Sequence, residues 1–199
     1  MDGATVRECR RCPGLVASRE QIVNGVGPES SPCLFLGEAP GASEDQQGEP
    51  FVGRSGQLLT DALSAVGLDR TAVRITNCVR CRPPDNRNPK RDELEHCSEW
   101  LERELEVVDP DVVVPVGKVP ASELLERDVS VTKEAGRKLR VELAGRERTV
   151  VVSVHPAAVL YDRSNEARLE AALETVATTL GLDPSNAGQA ELADFGADQ

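Results

Sequence analysis

The sequence predicts an α/β protein: a three-layer α/β/α sandwich with a central, mainly parallel four-stranded sheet. Four short apolar runs, at residues 33–36, 73–76, 112–116 and 149–154, have the composition of buried parallel strands. Segments with helical periodicity fill the gaps between them, and strands that alternate with helices form a sheet covered on both faces. A chain of 199 residues is long enough for one domain with a sizeable core.

The spacing of apolar residues predicts four helices between and after these strands. The first, at residues 55–66, ends before Gly67, a residue type that commonly stops a helix. The others are predicted at residues 91–108, 118–126 and 166–180, each with apolar residues repeating every three or four positions. Each strand is therefore followed by a helix that can cover the sheet.

Residues 1–182 are expected to form the folded domain, and residues 183–199 an acidic, disordered tail. The tail is rich in small and polar residues and holds four acids and no base. No apolar run approaches the length of a membrane span, and the N-terminus has no signal-peptide hydrophobic stretch. We therefore expect a cytoplasmic protein with no membrane contact.

The charge of the chain is strongly acidic overall and basic in one place. The net charge is −11, and only four of the 23 basic residues are lysines, which indicates a halophilic source with a salt-rich cytoplasm. Residues 74–91 nevertheless hold six basic groups against one acid. Such a stripe is compatible with a focused phosphate footprint, and equally with a solvated loop.

The six cysteines are more typical of metal ligands or buried thiols than of disulfides in a reducing compartment. Two C-x-x-C pairs, at residues 9–12 and 78–81, suggest a structural zinc tetrad by their spacing alone. Strand alternation argues against it, because an extended segment points Cys78 toward the core, on the opposite face from Asn77. Spacing does not separate zinc from an iron–sulfur centre, and reduced structural thiols are the alternative. Cys33 opens an apolar strand and is interpreted as a buried hydrophobe.

Three loops at residues 37–53, 77–89 and 155–163 leave predicted strand ends with unusual chemistry. Because ligands of such sheets bind at the carboxyl ends of strands, we expect one active site there. Phe51 lies in a Gly/Pro-rich loop, where it is either a stacking platform or part of the core. His155 ends a strand and is either a hydrogen-bond donor to a developing anion or a structural cap.

Four sequence blocks stand out: residues 37–41 with Glu44 and Asp45, residues 50–59, residues 76–77 with 81–84, 86–87 and 89, and residues 155–156 with Leu160. Together they resemble the family 4 uracil-DNA glycosylases, the iron–sulfur branch of their superfamily, from about residue 6 to 180. The resemblance implies a DNA repair enzyme that flips uracil out of DNA and hydrolyses its N-glycosidic bond. It would release free uracil and leave an abasic site, which starts base excision repair.

The resemblance also implies a cofactor, a [4Fe–4S] cluster. Its ligands would be Cys9, Cys12, Cys81 and Cys97. Cys78 is left out because the family usually carries an aliphatic residue at that position.

The resemblance further implies the roles of the uracil pocket. Phe51 would stack on the flipped base, while Asn77 would donate to uracil O4 and accept from N3–H, a pattern that cytosine reverses. His155 and backbone N–H groups of the 38–41 turn would hold O2 as charge develops there. Glu44 matches the position that crowds the methyl group of thymine, and Glu38 acts either as a base or through its charge. The implied uracil-binding set is Glu38, Ala39, Pro40, Gly41, Glu44, Phe51, Asn77 and His155, with Glu38, Asn77 and His155 as the catalytic residues.

Uracil-containing DNA is the expected partner, and the loop after His155 would fill the gap left by the flipped base. The chain is expected to act as a monomer, with a sliding clamp left open as a second partner. The rival interpretation is a cluster-containing binding or redox-sensing module without catalysis. The implied DNA contacts are Arg54, Arg82, Arg87, Leu160 and Arg163.

Overall fold

A computed structural model of the chain describes residues 4–183, which form an α/β sandwich around a five-stranded sheet. The order across the sheet is β2-β1-β3-β5-β4, and every neighbouring pair is parallel except β4 with β5. The predicted fold class is confirmed, but the predicted number of strands is one too few. The strands are β1 (Cys33–Gly37), β2 (Arg74–Asn77), β3 (Val112–Pro115), β4 (Lys138–Leu143) and β5 (Arg146–Val151).

The strand that the sequence did not predict, β4, is an antiparallel edge strand. Its residues alternate between exposed and half-buried, so it contains no continuous apolar run. It turns into β5 through Ala144 and Gly145, which both have positive φ, 49° and 72°. Two such residues match the twist of a two-residue hairpin. The tail predicted at residues 183–199 lies outside the described residues except for Asp183.

Eight α-helices lie among residues 4–183, and the four that the sequence predicted agree with the structure to within one residue at each end. These are α3, α4, α5 and α8, whereas the other four are short helices inside segments without strong periodicity. No helix in the described part of the chain is long and apolar enough to cross a bilayer. The helices are α1 (Pro13–Ser18), α2 (Ala42–Gln47), α3 (Arg54–Ala65), α4 (Arg91–Val108), α5 (Lys118–Leu125), α6 (Val131–Glu134), α7 (Ala157–Tyr161) and α8 (Glu166–Thr179).

The sheet separates two hydrophobic cores, and the alternation of side chains along β1 shows the division. Cys33 and Phe35 point to one face, where α3 and α8 pack. Leu34 and Leu36 point to the other face, where α1, α4 and α5 pack. All four side chains are completely buried, which agrees with the continuous apolar run in the sequence. Cys33 is a core residue, as interpreted from its position.

A buried ion network joins β2 to helix α4. Glu104 is fully buried and accepts a hydrogen bond from Arg74 Nε at 2.6 Å and a second from Arg80 Nη2. Both arginines are also buried. One carboxylate thus pairs with two guanidinium groups that have been removed from water, and removing it would leave both charges buried without a partner.

We predict that Glu104→Ala lowers the free energy of unfolding by about 3–5 kcal/mol, because it leaves two buried arginines without their counter-ion. Glu106→Ala is the control, since Glu106 lies on the exposed side of the same helix; it should change the value by less than about 0.5 kcal/mol. Denaturant unfolding followed by circular dichroism measures both. Equal effects of the two substitutions would contradict this account of the network.

Candidate active site

The carboxyl ends of β1 and β2 lie side by side and begin the site. The parallel register pairs Gly37 with Asn77, at the last residue of each strand. The pairing continues beyond the strands, because Cys78 N–H donates to the Gly37 carbonyl at 2.9 Å and Val79 N–H donates to the Glu38 carbonyl at 3.0 Å. The turn after β1 and the loop after β2 are therefore held together by backbone hydrogen bonds.

Asn77 and Phe51 converge over Gly37, which must lack a side chain. A Cβ atom at position 37 would lie 2.2 Å from Asn77 Oδ1 and 2.6 Å from Phe51 Cε2. Phe51 itself has a φ of 54°, a conformation that is costly for a bulky residue. The start of α3 packs against it closely, since a Cβ at Gly56 would lie 1.8 Å from the Phe51 carbonyl oxygen. Two glycines thus allow Phe51 to reach the strand ends.

Asn77 is a buried residue whose side-chain amide has no protein partner. The residue is 3% exposed, and its amide takes part in no hydrogen bond with any residue between 4 and 183. Neither Oδ1 nor Nδ2 is among the fully buried side-chain atoms without a partner, so both face the open space of the site. The amide therefore has both of its functions, donor and acceptor, available to a ligand that enters the site.

His155 enters the site from the end of the β5 segment, and its hydrogen bonding assigns its tautomer. Its Nδ1 accepts a hydrogen bond from Ala157 N–H at 3.1 Å, so the proton of the neutral ring lies on Nε2. Burial lowers the pKa of His155 below 6.5, although Glu44 acts in the opposite direction. At neutral pH the ring is therefore uncharged and its Nε2–H is a donor.

The rings of Phe51 and His155 are close neighbours, with centroids 5.6 Å apart and an interplanar angle of 27°. A base stacked between the two rings would need their centroids about 7 Å apart, one contact distance on each side. The distance here is too short, so no base fits between the rings. A planar ligand that stacks on Phe51 therefore meets His155 with its edge, where ring oxygens and nitrogens lie.

Glu38, in the turn after β1, and Glu44, in helix α2, differ in their surroundings. Burial raises the pKa of Glu38. Glu44 accepts Gly41 N–H at 3.1 Å through one carboxylate oxygen and Gly53 N–H at 3.2 Å through the other. It thereby fastens the turn after β1 to the start of α3. This positioning role was not predicted from the sequence, although a glutamate three residues after the N-cap of a helix is the signal of a capping box.

Four cysteines from three separate segments line one small cavity, together with apolar side chains, Arg19 and His96. They are Cys9, Cys12, Cys81 and Cys97. Cys78 is not among them: it lines a different cavity of about 460 Å³, between α4, α5 and the β4–β5 hairpin. The zinc tetrad that the spacing of the two C-x-x-C pairs suggested would need Cys78 in the first cavity, so that tetrad is wrong.

The four thiols interact electrostatically. Burial raises the pKa of Cys12 to about 11, and Cys97, Cys81 and Cys9 add to this shift. No three His, Cys, Asp or Glu side chains within residues 4–183 could hold a metal ion as they stand. Four cysteines are the ligand set of an iron–sulfur cluster, and bound metal would relieve the repulsion between their thiolates. The four cysteines and the apolar cavity therefore fit such a group.

The outer side of the site carries the exposed residues predicted to face DNA. Helix α7 starts two residues after His155 and ends with Leu160 and Tyr161, whose side chains are 43% and 91% exposed. Arg54 and Arg163 are also exposed, and neither forms an ion pair with another residue in the described part of the chain. These groups are free to contact a ligand larger than the pocket.

Most cations of the basic stripe at residues 74–91 have partners within the protein, which leaves few of them for the focused phosphate footprint that is one interpretation of the stripe. Arg87, predicted to contact DNA, forms two hydrogen bonds of 2.6 and 2.8 Å with Glu93. Arg91 pairs with Glu95, and Arg82 donates to the side chain of Asn86 at 2.8 Å. Arg74 and Arg80 are the buried partners of Glu104.

Comparison with known proteins agrees with this geometry. A sequence model of the uracil DNA glycosylase superfamily matches residues 24–177. The type-4 uracil-DNA glycosylase of Archaeoglobus fulgidus is 41% identical over 78% of this chain and 80% of its own length. That of Thermotoga maritima is 40% identical over 82% and 83%. The type-5 enzyme of Thermus thermophilus is 33% identical over 61% and 69%.

The fold, the site and these matches define the class of the protein, a member of the uracil DNA glycosylase superfamily. Within that superfamily the chain belongs with the type-4 uracil-DNA glycosylases, which confirms the resemblance stated from its motifs.

We predict that Gly37→Ala abolishes measurable binding of free uracil, because the new methyl group would occupy the space between Asn77 and Phe51. Gly14→Ala is the matched control: a Cβ at position 14 meets nothing within 4 Å, and alanine is favourable in a helix. Isothermal titration with uracil measures binding. If Gly37→Ala binds uracil as the wild type does, the convergence of Asn77 and Phe51 does not form the binding site.

Proposed function

We infer that this member of the superfamily hydrolyses the N-glycosidic bond of uracil in DNA, releasing uracil and leaving an abasic site at the start of base excision repair. The observation that carries the assignment of the site is the unpaired side-chain amide of the buried residue Asn77, at the meeting point of Gly37 and Phe51. A flipped base that stacks on Phe51 brings its hydrogen-bonding edge to this amide.

Asn77 selects uracil by its two hydrogen bonds. Its N–H₂ donates to O4 of the base and its Oδ1 accepts from N3–H. Cytosine presents a donor at position 4 and an acceptor at N3, so it would face the amide with like groups. Because the site is buried, each mismatched hydrogen bond costs about 1–3 kcal/mol. Glu44 favours the same selection by fixing the wall of the pocket near the 5-position, since it holds both Gly41 and Gly53.

Cleavage requires stabilisation of a uracil anion and of a sugar with oxocarbenium character. The Nε2–H of neutral His155 donates to O2 as negative charge develops there, and backbone N–H groups at the start of the 38–41 turn add to this. The Glu38 carboxylate lies beside the same turn, where its negative charge favours the sugar cation and can orient the attacking water. All these groups belong to the ends of β1 and β5, so the sheet fixes their positions.

DNA is held by a small number of exposed groups. Leu160, with Tyr161 next to it, fills the gap left by the flipped base, and Arg54, Arg82 and Arg163 contact phosphates. Arg87 has a different role. Its ion pair with Glu93 fixes the start of α4, the helix that contains Cys97. The protein acts as a monomer on uracil-containing DNA, and the surplus of carboxylates over lysines supports action in a salt-rich cytoplasm.

The cysteine-lined cavity is the proposed place of a [4Fe–4S] cluster. Cys9, Cys12, Cys81 and Cys97 would be its ligands. When bound, the cluster supplies cross-links between three chain segments, and no step of the hydrolysis needs its redox chemistry. Arg19 donates a hydrogen bond to Cys81 Sγ at 2.8 Å and would stabilise the negative charge of that ligand.

We predict that Asn77→Ala lowers kcat/KM for uracil release about 100-fold, because two hydrogen bonds to the base are lost. Asn88→Ala, an exposed asparagine of the same loop, should leave the rate unchanged. The assay measures free uracil from a uracil-containing oligonucleotide. A wild-type protein that binds the oligonucleotide but releases no uracil would favour the rival function of a binding or redox-sensing module.

The pH profile of the reaction should report Glu38. Burial raises its pKa above 4.5, the ordinary value, and protonation removes the charge that favours the sugar cation. We therefore expect kcat/KM to fall as the pH is lowered through a pKa above 4.5, and we expect Glu38→Gln to be slow and to lack this acid limb. An identical limb in the variant would assign the titration to another group.

Iron analysis tests the ligand set. Protein purified without oxygen should be brown and hold about four iron atoms per chain. Cys97→Ala should lose the colour and the iron, and Cys78→Ala should keep both, because Cys78 lies outside the cavity. A colourless wild-type protein with one zinc ion would contradict the cluster.

A further inference from the structure

Asp45, in helix α2, is a buried carboxylate that the proposed chemistry does not use. It is 1% exposed and forms no ion pair with another residue in the described part of the chain. Its carboxylate oxygens both accept the Glu20 amide N–H at 3.0 Å, and Oδ1 also accepts Gln21 N–H at 3.3 Å. A buried carboxylate without a cation depends on such hydrogen bonds, so helix α2 is bound tightly to residues 20–21.

The residue just before this contact touches the cysteine-lined cavity. Arg19 Nη1 donates to Cys81 Sγ at 2.8 Å, and Nη2 donates to the Cys9 carbonyl at 2.7 Å. Residues 19–21 therefore form a strap with one end on the sulfur ligands and the other on helix α2.

Helix α2 in turn holds the uracil pocket. Glu44, the residue before Asp45, binds the amides of Gly41 and Gly53. Gly41 ends the turn that faces uracil O2, and Gly53 follows Phe51 by two residues. The strap is fastened to the far end of the same helix as well, because the Gln21 side chain donates to the carbonyls of Asp45 and Gln46.

We propose that Asp45 is a positioning residue that couples the cysteine-lined site to the uracil pocket through the strap of residues 19–21. The coupling rests on the proposed function, since it assumes a cluster in the cavity and uracil in the pocket. Its consequence is that the cysteine-lined site would support catalysis from a distance: Cys81 holds Arg19, Arg19 fixes the strap, and Asp45 and Glu44 carry that order to the pocket turns. Hydrogen bonds join Arg19 to Cys81, Glu20 to Asp45 and Gly41 to Glu44, and neighbouring residues of the chain connect these bonds.

The test compares Asp45→Asn with Asp61→Asn in the cluster-containing protein. An asparagine side chain has the same size as aspartate, but its N–H₂ group would face the N–H donors of Glu20 and Gln21 and could not accept from them. Asp61 is exposed and bonds only to Gln57 among the described residues, so it is the matched control. We expect Asp45→Asn to retain its iron and visible spectrum, to exchange the amides of Gly41 and Gly53 faster, and to lose about tenfold in kcat/KM. Asp61→Asn should match the wild type throughout.

A second arm removes iron from the wild type with a chelator and follows hydrogen exchange. The amides of Gly41 and Gly53 should again exchange faster, because Cys81, once it is no longer held by the cluster, holds Arg19 less firmly. The proposal is overturned if these amides exchange equally with and without iron, or if folded Asp45→Asn matches the wild type in exchange and kcat/KM. If Asp45→Asn does not fold, the iron-removal arm decides. A wild type that releases no uracil refutes the proposed function, and the exchange experiment still tests the coupling.

Discussion

The structure depends on one close approach, the pairing of the ends of β1 and β2 at Gly37 and Asn77. The strand register brings the Asn77 amide beside a residue without a side chain, and the aromatic ring of Phe51 occupies the space that a Cβ would need. The left-handed backbone at Phe51, the glycine at 56 and the hydrogen bonds of Glu44 all serve this approach. The backbone geometry at Gly37 and Phe51 therefore determines where the polar groups of the pocket lie. The strand ends and the Phe51 ring are packed so closely that they cannot shift toward each other without a steric clash.

Most charged side chains near the site form ion pairs that hold the protein together, and few of them are available to attract DNA. Several arginines near the site are paired with glutamates, and the most buried of them share Glu104. With a net charge of −11, the long-range field repels phosphate, so binding must rest on short-range contacts from a few free cations, on stacking and on insertion into the gap. Such contacts are less sensitive to salt than a broad basic surface, which suits a protein with so acidic a composition.

Much of the fold could be predicted because β1, β2, β3 and β5 are buried on both faces and the four long helices have regular apolar spacing. The edge strand β4 was missed because only one of its faces is partly covered, so burial left no apolar run in its sequence. The pocket residues could be placed from their motifs, but the pairing of Arg87 with Glu93 and the double hydrogen bond of Glu44 could not. These contacts join segments whose relative position is set by the whole fold, and a charge in a sequence does not reveal its partner.

The central claim is that the Asn77 amide reads the edge of a base stacked on Phe51. The most direct measurement is a crystal structure of the protein with free uracil. The account predicts the uracil ring against Phe51, with Asn77 Nδ2 within hydrogen-bond distance of O4, Oδ1 within that distance of N3, and His155 Nε2 facing O2. Uracil bound away from Asn77, for example in the cavity beside α4 and α5, would contradict it.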